Sequence, residues 1–306
     1  MRMYSNWYKG NMIVHPGLDG NAVEYFVDGT NGNDNWDGLS WTRAKATIQA
    51  ALNLARYLPG TTTIDTTVNR LRYVYVAPGH YNERVAWSGY GIHLIGSGHG
   101  VPGKDYGVSL NYDGALTAGD AYICAFGGSG NSIRNLHVYC DVALPAVHIL
   151  AGDNNLIKNV VIEGDGTNCT YGIHAQSMKG SVIKDVVMEG MTTAGIWVET
   201  DADVYMINGA MSNNQIYSDV NGCVGILVDN GVVTRNFKID RNFIDLEGGD
   251  ATNIGIDNNA ASGNVCITDN YIVMENGATA AESASHGMLH NHVSVNGTVT
   301  DPFNDD

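Results

Sequence analysis

The sequence predicts an all-β protein built as a parallel β-helix, a solenoid of stacked coils with an α-helix capping its start. The main observation is a pattern repeated six times across about residues 132–275, in which one aliphatic residue is followed five places later by another. Successive repeats begin 24 to 28 residues apart, as expected for stacked coils joined by loops of variable length. The 38 glycines suit the many tight turns of such a fold. The pairs are Ile133/Val138, Ile157/Ile162, Ile183/Met188, Met211/Ile216, Ile239/Ile244 and Ile267/Ile272.

The chain divides into an arm, a solenoid and a tail. Only 6 prolines occur among 306 residues and no Ser/Gly-rich linker interrupts the chain, so residues 23–290 are predicted to form one β-helix. Residues 291–306 form a C-terminal tail. The arm, residues 1–22, carries Tyr4, Trp7 and Tyr8, and it is either a strap across the body or a docking arm for a neighbouring chain.

One amphipathic helix is predicted at about residues 47–57. Thr47 can cap it, four apolar residues line one face, and Pro59-Gly60 ends it. A helix in this place would cover the apolar end of the first coil and its unpaired strand edge. The four apolar residues are Ile48, Ala51, Leu52 and Ala55.

Four segments in this part of the chain carry a family resemblance. They are Tyr25-Phe-Val-Asp-Gly-Thr-Asn-Gly-Asn-Asp, the Thr47-Ile-Gln-Ala-Ala-Leu helix, Val76-Ala-Pro-Gly-His-Tyr-Asn-Glu and Ile92-His-Leu-Ile-Gly. In this order they resemble the start of a right-handed parallel β-helix of the pectate-lyase-like superfamily, most of all the β-helix proteins of bacteriophage virions. The resemblance implies a right-handed solenoid. It says little about activity, because one fold serves many functions.

Charge and cysteine content narrow the possible partners. The net charge of −16 disfavours contact with nucleic acid or an anionic membrane, and no apolar run is long enough for membrane insertion. The five cysteines are scattered and odd in number, and no signal peptide opens the chain. We therefore expect reduced, mostly buried thiols in a protein made in a host cytoplasm.

Within each coil, a polar residue stands two places after the first aliphatic residue. Stacked amides at a turn bond from coil to coil and set the register, so this column is predicted to be structural. In the last three coils, Asn214, Asn242 and Asn270 at the next position are expected to continue the same column. The column itself is Asn135, Asn159, Asp185, Asn213, Arg241 and Asp269.

A second strand of each coil predicts an outward-facing site. If Val147, Ile173, Ile196, Ile226 and Ile256 point inward, strand alternation turns the next residue of each strand outward. Glu199 and Asp229 are the catalytic candidates, because two carboxylates on adjacent coils could divide acid and base or nucleophile roles. The glycan-binding candidates are His174, Trp197 and Asp257, with the indole offering a flat face to a sugar ring. A subunit interface or chance clustering would explain the same carboxylates.

A loop near the start is a second candidate site. Asp28, Asn31, Asp34 and Asp37 could supply oxygen ligands to calcium, although their spacing is not that of an EF-hand. A turn held by its own hydrogen bonds is the favoured interpretation. No cofactor is required by the sequence; calcium is possible.

Two functions from different classes remain. The resemblance favours a bacteriophage virion component, that is, a tail spike, head fibre or capsid decoration protein. Such a protein would be a homotrimer that contacts other virion proteins and cell-surface polysaccharide. The sequence leaves open whether it is also an enzyme and leans towards a role without catalysis. The alternative is a polysaccharide-degrading enzyme, a lyase or glycoside hydrolase, centred on Glu199 and Asp229.

Overall fold

In a computed structural model, most of the chain from residue 22 to residue 274 is described, with short gaps. The described residues are 5–8, 11–14, 22–57, 63–65, 71–98, 107–112, 122–150, 152–199, 205–230, 232–247, 252–260, 262–274, 279–283, 288–289, 291–295 and 298–300.

The described part of the chain is almost entirely β-strand. Its first elements are β1 Ser5–Tyr8, β2 Asn11–Val14, β3 Val23–Val27, the 3-10 turn Trp41–Arg43, α1 Ile48–Arg56, β4 Arg72–Val76, β5 Gly79–Asn82, β6 Val85–Ser88, β7 Ile92–Gly96, β8 Val108–Asn111, β9 Cys124–Gly127, β10 Ser132–Cys140, β11 Val147–Ile149 and β12 Leu156–Gly164. The middle elements are β13 Tyr171–Ala175, β14 Val182–Lys184, β15 Val187–Glu189, β16 Ala194–Val198, β17 Tyr205–Ile207, β18 Ala210–Ser212, β19 Gln215–Ser218, β20 Val224–Val228, β21 Val233–Asp240 and β22 Phe243–Leu246. The last are β23 Ile254–Asn258, β24 Ser262–Thr268, β25 Tyr271–Met274, β26 Thr279–Ser283, β27 Met288–Leu289, β28 His292–Val295 and β29 Thr298–Thr300.

These strands stack into three parallel ladders, which confirms the predicted right-handed parallel β-helix. The first ladder runs β3-β4-β7-β10-β12-β14-β18-β21-β24-β27. The second runs β5-β8-β10-β12-β15-β19-β22-β25-β28, and the long strands β10 and β12 belong to both. The third runs β6-β9-β11-β13-β16-β20-β23-β26. From β4 to β26, each coil therefore contributes one strand or strand segment to each ladder.

The core is the continuous aliphatic column inside the solenoid. The six aliphatic pairs found in the sequence are all buried, and partners within a column pair in register, as Ile133 does with Ile157 and Ile157 with Ile183. Burial of these chains is the main favourable term in folding. The residues that repeat along the sequence are thus stacked on one another in the fold, with hydrogen-bonded strands setting the distance between them.

Helix α1 has the predicted capping role. The Thr47 hydroxyl accepts a hydrogen bond from the Ala50 amide, and the four predicted apolar residues are buried. The helix contacts β3, β4 and β7 of the first ladder and β6 of the third ladder. Among the described residues, no helix is long and apolar enough to cross a membrane.

The polar column of the coils is structural, as predicted, but it is two columns and not one. The predicted positions, from Asn135 to Asp269, all adopt a left-handed backbone with φ between 54° and 61°. Asn159 donates to Asn135 over 2.8 Å, and Asn213 donates to Asp185 over 3.0 Å.

The second column is a separate buried ladder. Asn214 Nδ2 donates to Asn242 Oδ1, Asn242 to Asn270, and Asn270 to Asn291, each over 2.9 Å. The prediction that these residues continue the first column was wrong. The residue at the left-handed turn and the residue after it point in different directions, outward and into the solenoid, so each column continues independently.

The terminal predictions are only partly within the described residues. Strands β1 and β2 pair antiparallel, with Trp7 opposite Met12. Tyr4 and the side chains of Trp7 and Tyr8 lie outside the described part, as does most of the tail, so the assembly role of the arm stays a prediction. Four of the five free cysteines are buried, and Cys266 is exposed.

Candidate functional site

The third ladder has the register that the sequence predicted. Val147, Ile173, Ile196, Ile226 and Ile256 pair in one buried column. The column beside it runs His148, His174, Trp197, Leu227 and Asp257. Two residues further along lie Gln176, Glu199 and Asp229, whose amides continue the same backbone ladder. The predicted site residues therefore share one face, which we call the third face.

Aromatic rings on the third face stack along the solenoid axis. The His148 and His174 ring centroids lie 4.2 Å apart, and those of His174 and Trp197 lie 4.3 Å apart, with 12° between the planes in both pairs. Tyr171 also stacks on Trp197, at 4.5 Å. Side chains in register on parallel strands adopt similar rotamers, so flat rings lie on one another.

This stacking corrects one expectation about Trp197. One face of the indole is covered by His174 and Tyr171 of the preceding coil and is closed to a sugar ring. The remaining contact surface is the ring edge and the face towards Leu227, its partner on the next strand. A sugar could therefore contact the indole of Trp197 only at its edge or on the face towards Leu227.

The predicted carboxylates join this stack through His174. The Nε2 atom of His174 lies 2.8 Å from Glu199 Oε2, and the Gln176 amide donates to the same oxygen over 3.4 Å. Burial lowers the pKa of His174, opposed by the negative charges of Glu199 and Asp229. A neutral imidazole donating to Glu199 satisfies both observations. The carboxyl group of Glu199 is then held in a fixed position by two donors.

Asp229 and Tyr171 complete the titratable cluster. Burial first, and then the charges of Asp229 and Glu199, raise the pKa of the Tyr171 phenol, so the phenol stays protonated and can donate. Asp229 lies one coil beyond Glu199, and the hydrogen bonds of the described residues include none to its carboxylate. It is therefore available to a ligand. Coupled, perturbed groups in one place are typical of functional sites.

Asp257 takes a position at the margin of this cluster. It lies one strand beyond Leu227 in register, and Asn259 donates to its Oδ1 over 2.7 Å. Leu227 separates it from Trp197. The structure thus brings four residues together, Tyr171, His174, Glu199 and Asp229 around Trp197, and leaves Asp257 at the edge.

Two polar groups on the third face are buried without partners. Both ring nitrogens of His148 are shielded from solvent and unbonded, and so is the indole nitrogen of Trp197. Desolvation, and secondarily His174, lowers the pKa of His148 to about 4. Unsatisfied buried polar atoms are rare in folded proteins and call for an explanation, such as a bound ligand or water.

A second feature was missed from the sequence, a groove of about 560 Å³ on the second ladder. Glu163, Glu189, Tyr217 and Asp245 follow one another in register along it. Burial and the neighbouring Glu189 raise the pKa of Glu163. Its remaining acidic lining residues are Asp165, Asp219 and Glu247. We call this feature the acidic groove.

The signal for the acidic groove was present in the repeat. Each in-register groove residue immediately follows the second aliphatic of a pair, as Glu163 follows Ile162 and Glu189 follows Met188. Strand alternation turns that position outward. The acidic residues just beyond the strands also keep a constant place, because Asp165, Asp219 and Glu247 each stand three residues after the second aliphatic of a pair.

The N-terminal loop has the geometry of a self-bonded turn. Asp28 accepts from the amides of Thr30 and Asn31, and Asp34 accepts from Ala46 and Thr47. The carboxylates are engaged by protein donors and do not converge on one point. No group of three or more acidic, histidine or cysteine side chains suited to a metal occurs among the residues described.

A buried lysine supplies a positive charge in this loop, where a calcium ion was considered. The Lys45 ammonium donates to the Asp34 carbonyl over 2.6 Å, and Asp37 pairs with Arg43 at 3.0 Å. The favoured interpretation, a turn, matches this geometry. Calcium binding stays a prediction that the hydrogen bonding does not favour.

The fold and the third face define a β-helix protein with a titratable cluster on one outer ladder. No protein-family description and no curated protein sequence matches the chain, so the comparison rests on solved structures of similar fold. A pectin methylesterase in complex with a hexasaccharide is similar over 91% of this chain and 91% of its own, at 12% identity and a TM-score of 0.51. The Aspergillus niger pectin methylesterase covers 92% and 88% at 12% identity and TM-score 0.48. Pectate lyase Pel9A covers 89% and 80% at 12% identity and TM-score 0.48. At this identity the likeness shows the fold alone.

Proposed function

We propose that this protein is a glycan-cleaving enzyme of the glycoside hydrolase type, with its catalytic centre on the third face. The observation that carries the proposal is the fixed His174–Glu199 pair, 2.8 Å apart, with Asp229 on the next coil. Two carboxyl groups that flank a glycosidic bond are the usual machinery of its hydrolysis. The pectin methylesterase with its bound hexasaccharide is an analogy of fold for carbohydrate binding to such a solenoid.

The two carboxyl groups have different surroundings and are assigned different roles. Glu199 accepts hydrogen bonds from His174 and Gln176, which hold its carboxyl group in place. It serves as the nucleophile or as the base that activates water. Asp229, which lacks such donors among the described residues, serves as the acid that protonates the leaving oxygen. His174 is a positioning residue that orients Glu199.

Charge selects the class of glycan. The protein carries a net charge of −16, and the cluster itself is acidic. A polyuronate would be repelled from this face, since like charges in a partly desolvated site cost several kcal/mol. The proposed substrate is therefore a neutral or amino-sugar polysaccharide.

The test is release of oligosaccharides from a panel of neutral, amino-sugar and uronate polysaccharides. Glu199→Gln and Asp229→Asn should each lower the rate by about 10²-fold or more, the usual scale of acid–base catalysis. Glu163→Gln and Glu189→Gln are the matched controls and should leave release unchanged. Loss of activity in the controls alone would place the chemistry in the acidic groove. Release by none of the panel, or release untouched by Glu199→Gln, would refute the proposal.

The virion role is a separate prediction and stays one. A virion component can also cleave glycan, so the two are compatible. Immunodetection of the protein on purified phage particles from an infected host would test the virion role directly.

A further inference from the structure

The first ladder carries an outward column of cations. Arg134, Lys158 and Lys184 lie on successive coils in register, so neighbouring backbones are about 4.8 Å apart. Like charges placed directly opposite one another on adjacent strands are destabilising. We call these three residues the cation column.

The chain itself does little to neutralise the cation column. Arg134 donates to the Ser132 hydroxyl over 3.1 Å. Within the part of the chain that the structure describes, neither the Lys158 nor the Lys184 ammonium has an ion-pair or hydrogen-bond partner. Only 16 lysines and arginines occur in the whole sequence, so three of them in one unpaired column is a concentration of scarce charge.

The acidic groove has the opposite charge imbalance, with several carboxylates in its lining. Neither lysine nor arginine is among its lining residues, and the imidazole of His137 lies 3.2 Å from Glu163. Its carboxylates repel one another, which is one cause of the raised pKa of Glu163. Among the described residues, the groove has no lysine or arginine in its lining, and the cation column forms no ion pair.

The two features lie at the same heights along the solenoid. Lys158 and Glu163 belong to one strand, β12, and Lys184 and Glu189 belong to β14 and β15 of the following coil. A rotation about any axis parallel to the solenoid preserves height. It therefore brings the lysine of one copy level with the glutamate of the same coil in another copy.

We propose that the cation column of one copy docks in the acidic groove of a second copy, in a cyclic homo-oligomer whose solenoids run parallel. The contact is heterologous, and such contacts close into rings when the rotation permits. A three-membered ring agrees with the homotrimer predicted from the sequence. A second copy is favoured over a free polyanion because it satisfies both surfaces at once, in register over two coils. The third ladder is not used, so this proposal is independent of the proposed enzymatic activity.

The test is molar mass by light scattering on the full chain. Wild type should give a multiple of 32.7 kDa at low salt and should dissociate as salt rises to 1 M, where the screening length falls to about 3 Å. Lys158→Glu/Lys184→Glu should lower the association constant at least 100-fold. Adding Glu163→Lys/Glu189→Lys to that chain should restore association, because the charges are exchanged. Lys179→Glu/Arg235→Glu, the same charge change at exposed sites elsewhere, should have little effect.

Several results would overturn the proposal. A wild-type monomer at low salt would do so. So would an oligomer whose molar mass is unchanged by Lys158→Glu/Lys184→Glu. The third such result is a folded variant with all four substitutions, checked by circular dichroism, that does not associate. A monomer that binds dextran sulfate through Lys158 and Lys184 would show that the column binds a polyanion instead.

Discussion

The buried imidazole of His148 should make the protein sensitive to mild acid. Both ring nitrogens are shielded and unbonded, and the ring is stacked on His174. A charge on this ring would be neither solvated nor paired, so burial lowers its pKa from 6.5 to about 4. An unfolded chain has no such restriction, and its histidine takes up a proton near pH 6.5.

The sign and size follow from proton linkage. The folded pKa is depressed, so the stabilisation is complete above pH 6.5 and is lost as pH falls from 6.5 towards 4. At about 1.4 kcal/mol for each pH unit between 6.5 and 4, the total loss is about 3 kcal/mol, of which about 2 kcal/mol is reached at pH 5. His93, whose pKa burial also lowers to about 4, adds a similar contribution of its own.

The perturbation is His148→Phe, which keeps a flat ring in the stack and removes the titrating nitrogens. Urea unfolding at fixed protein concentration, repeated between pH 7 and pH 5, should show about 2 kcal/mol less loss of stability in the variant. At pH 7 the variant should be equal to wild type or more stable by roughly 1 kcal/mol, because unsatisfied buried atoms are removed. His292→Phe, at an exposed position, is the matched control. An unchanged pH dependence in His148→Phe would refute the reasoning.

Three further predictions concern the architecture, and each is checked by the change in unfolding free energy in urea. Asn242→Ala should cost roughly 3 kcal/mol, because it leaves buried donors and acceptors unbonded on both neighbouring coils; equal costs for Asn242→Ala and the outer-column Asn213→Ala would contradict the buried ladder. Gly225→Ala should cost about 1–3 kcal/mol, since a Cβ there would lie 2.4 Å from the Gly255 carbonyl oxygen; a neutral effect would show that the coils can move apart. Arg241→Asn should stabilise by about 1 kcal/mol, because asparagine tolerates the left-handed φ of 55° better than arginine; a loss would mean that the arginine makes a contact worth more than its backbone strain.

Alternation along the strands made the solenoid and its third face predictable. The inward position of Ile173 implies the outward position of His174, and parallel stacking then implies that Trp197 lies beside it. The sequence could not reveal how the rings are turned, because that depends on rotamers chosen by the neighbouring coils. The indole was therefore expected to be an open platform and is instead a layer in a stack.

The acidic groove shows a different limit. The outward position of Glu163 was implied by the repeat, but concavity and burial depend on turns of irregular length. Asp219 and Glu247 each stand three residues after the second aliphatic of their pair, so their places were implied as well, but this spacing does not show that the surface there is concave. Regular spacing predicts which side of a strand a residue occupies, and it does not predict the shape of the surface around it.

The buried asparagine ladder also bears on how the chain folds. Asn214, Asn242 and Asn270 each donate to the asparagine of the next coil, so each is fully hydrogen-bonded only when that coil is in place. A finished coil is therefore a template for its neighbour, and growth should proceed coil by coil from a nucleus, as in a one-dimensional zipper. Pulled from its C-terminal end in an optical trap, such a chain should release length in steps of about one coil, and the last coil of the ladder should yield first.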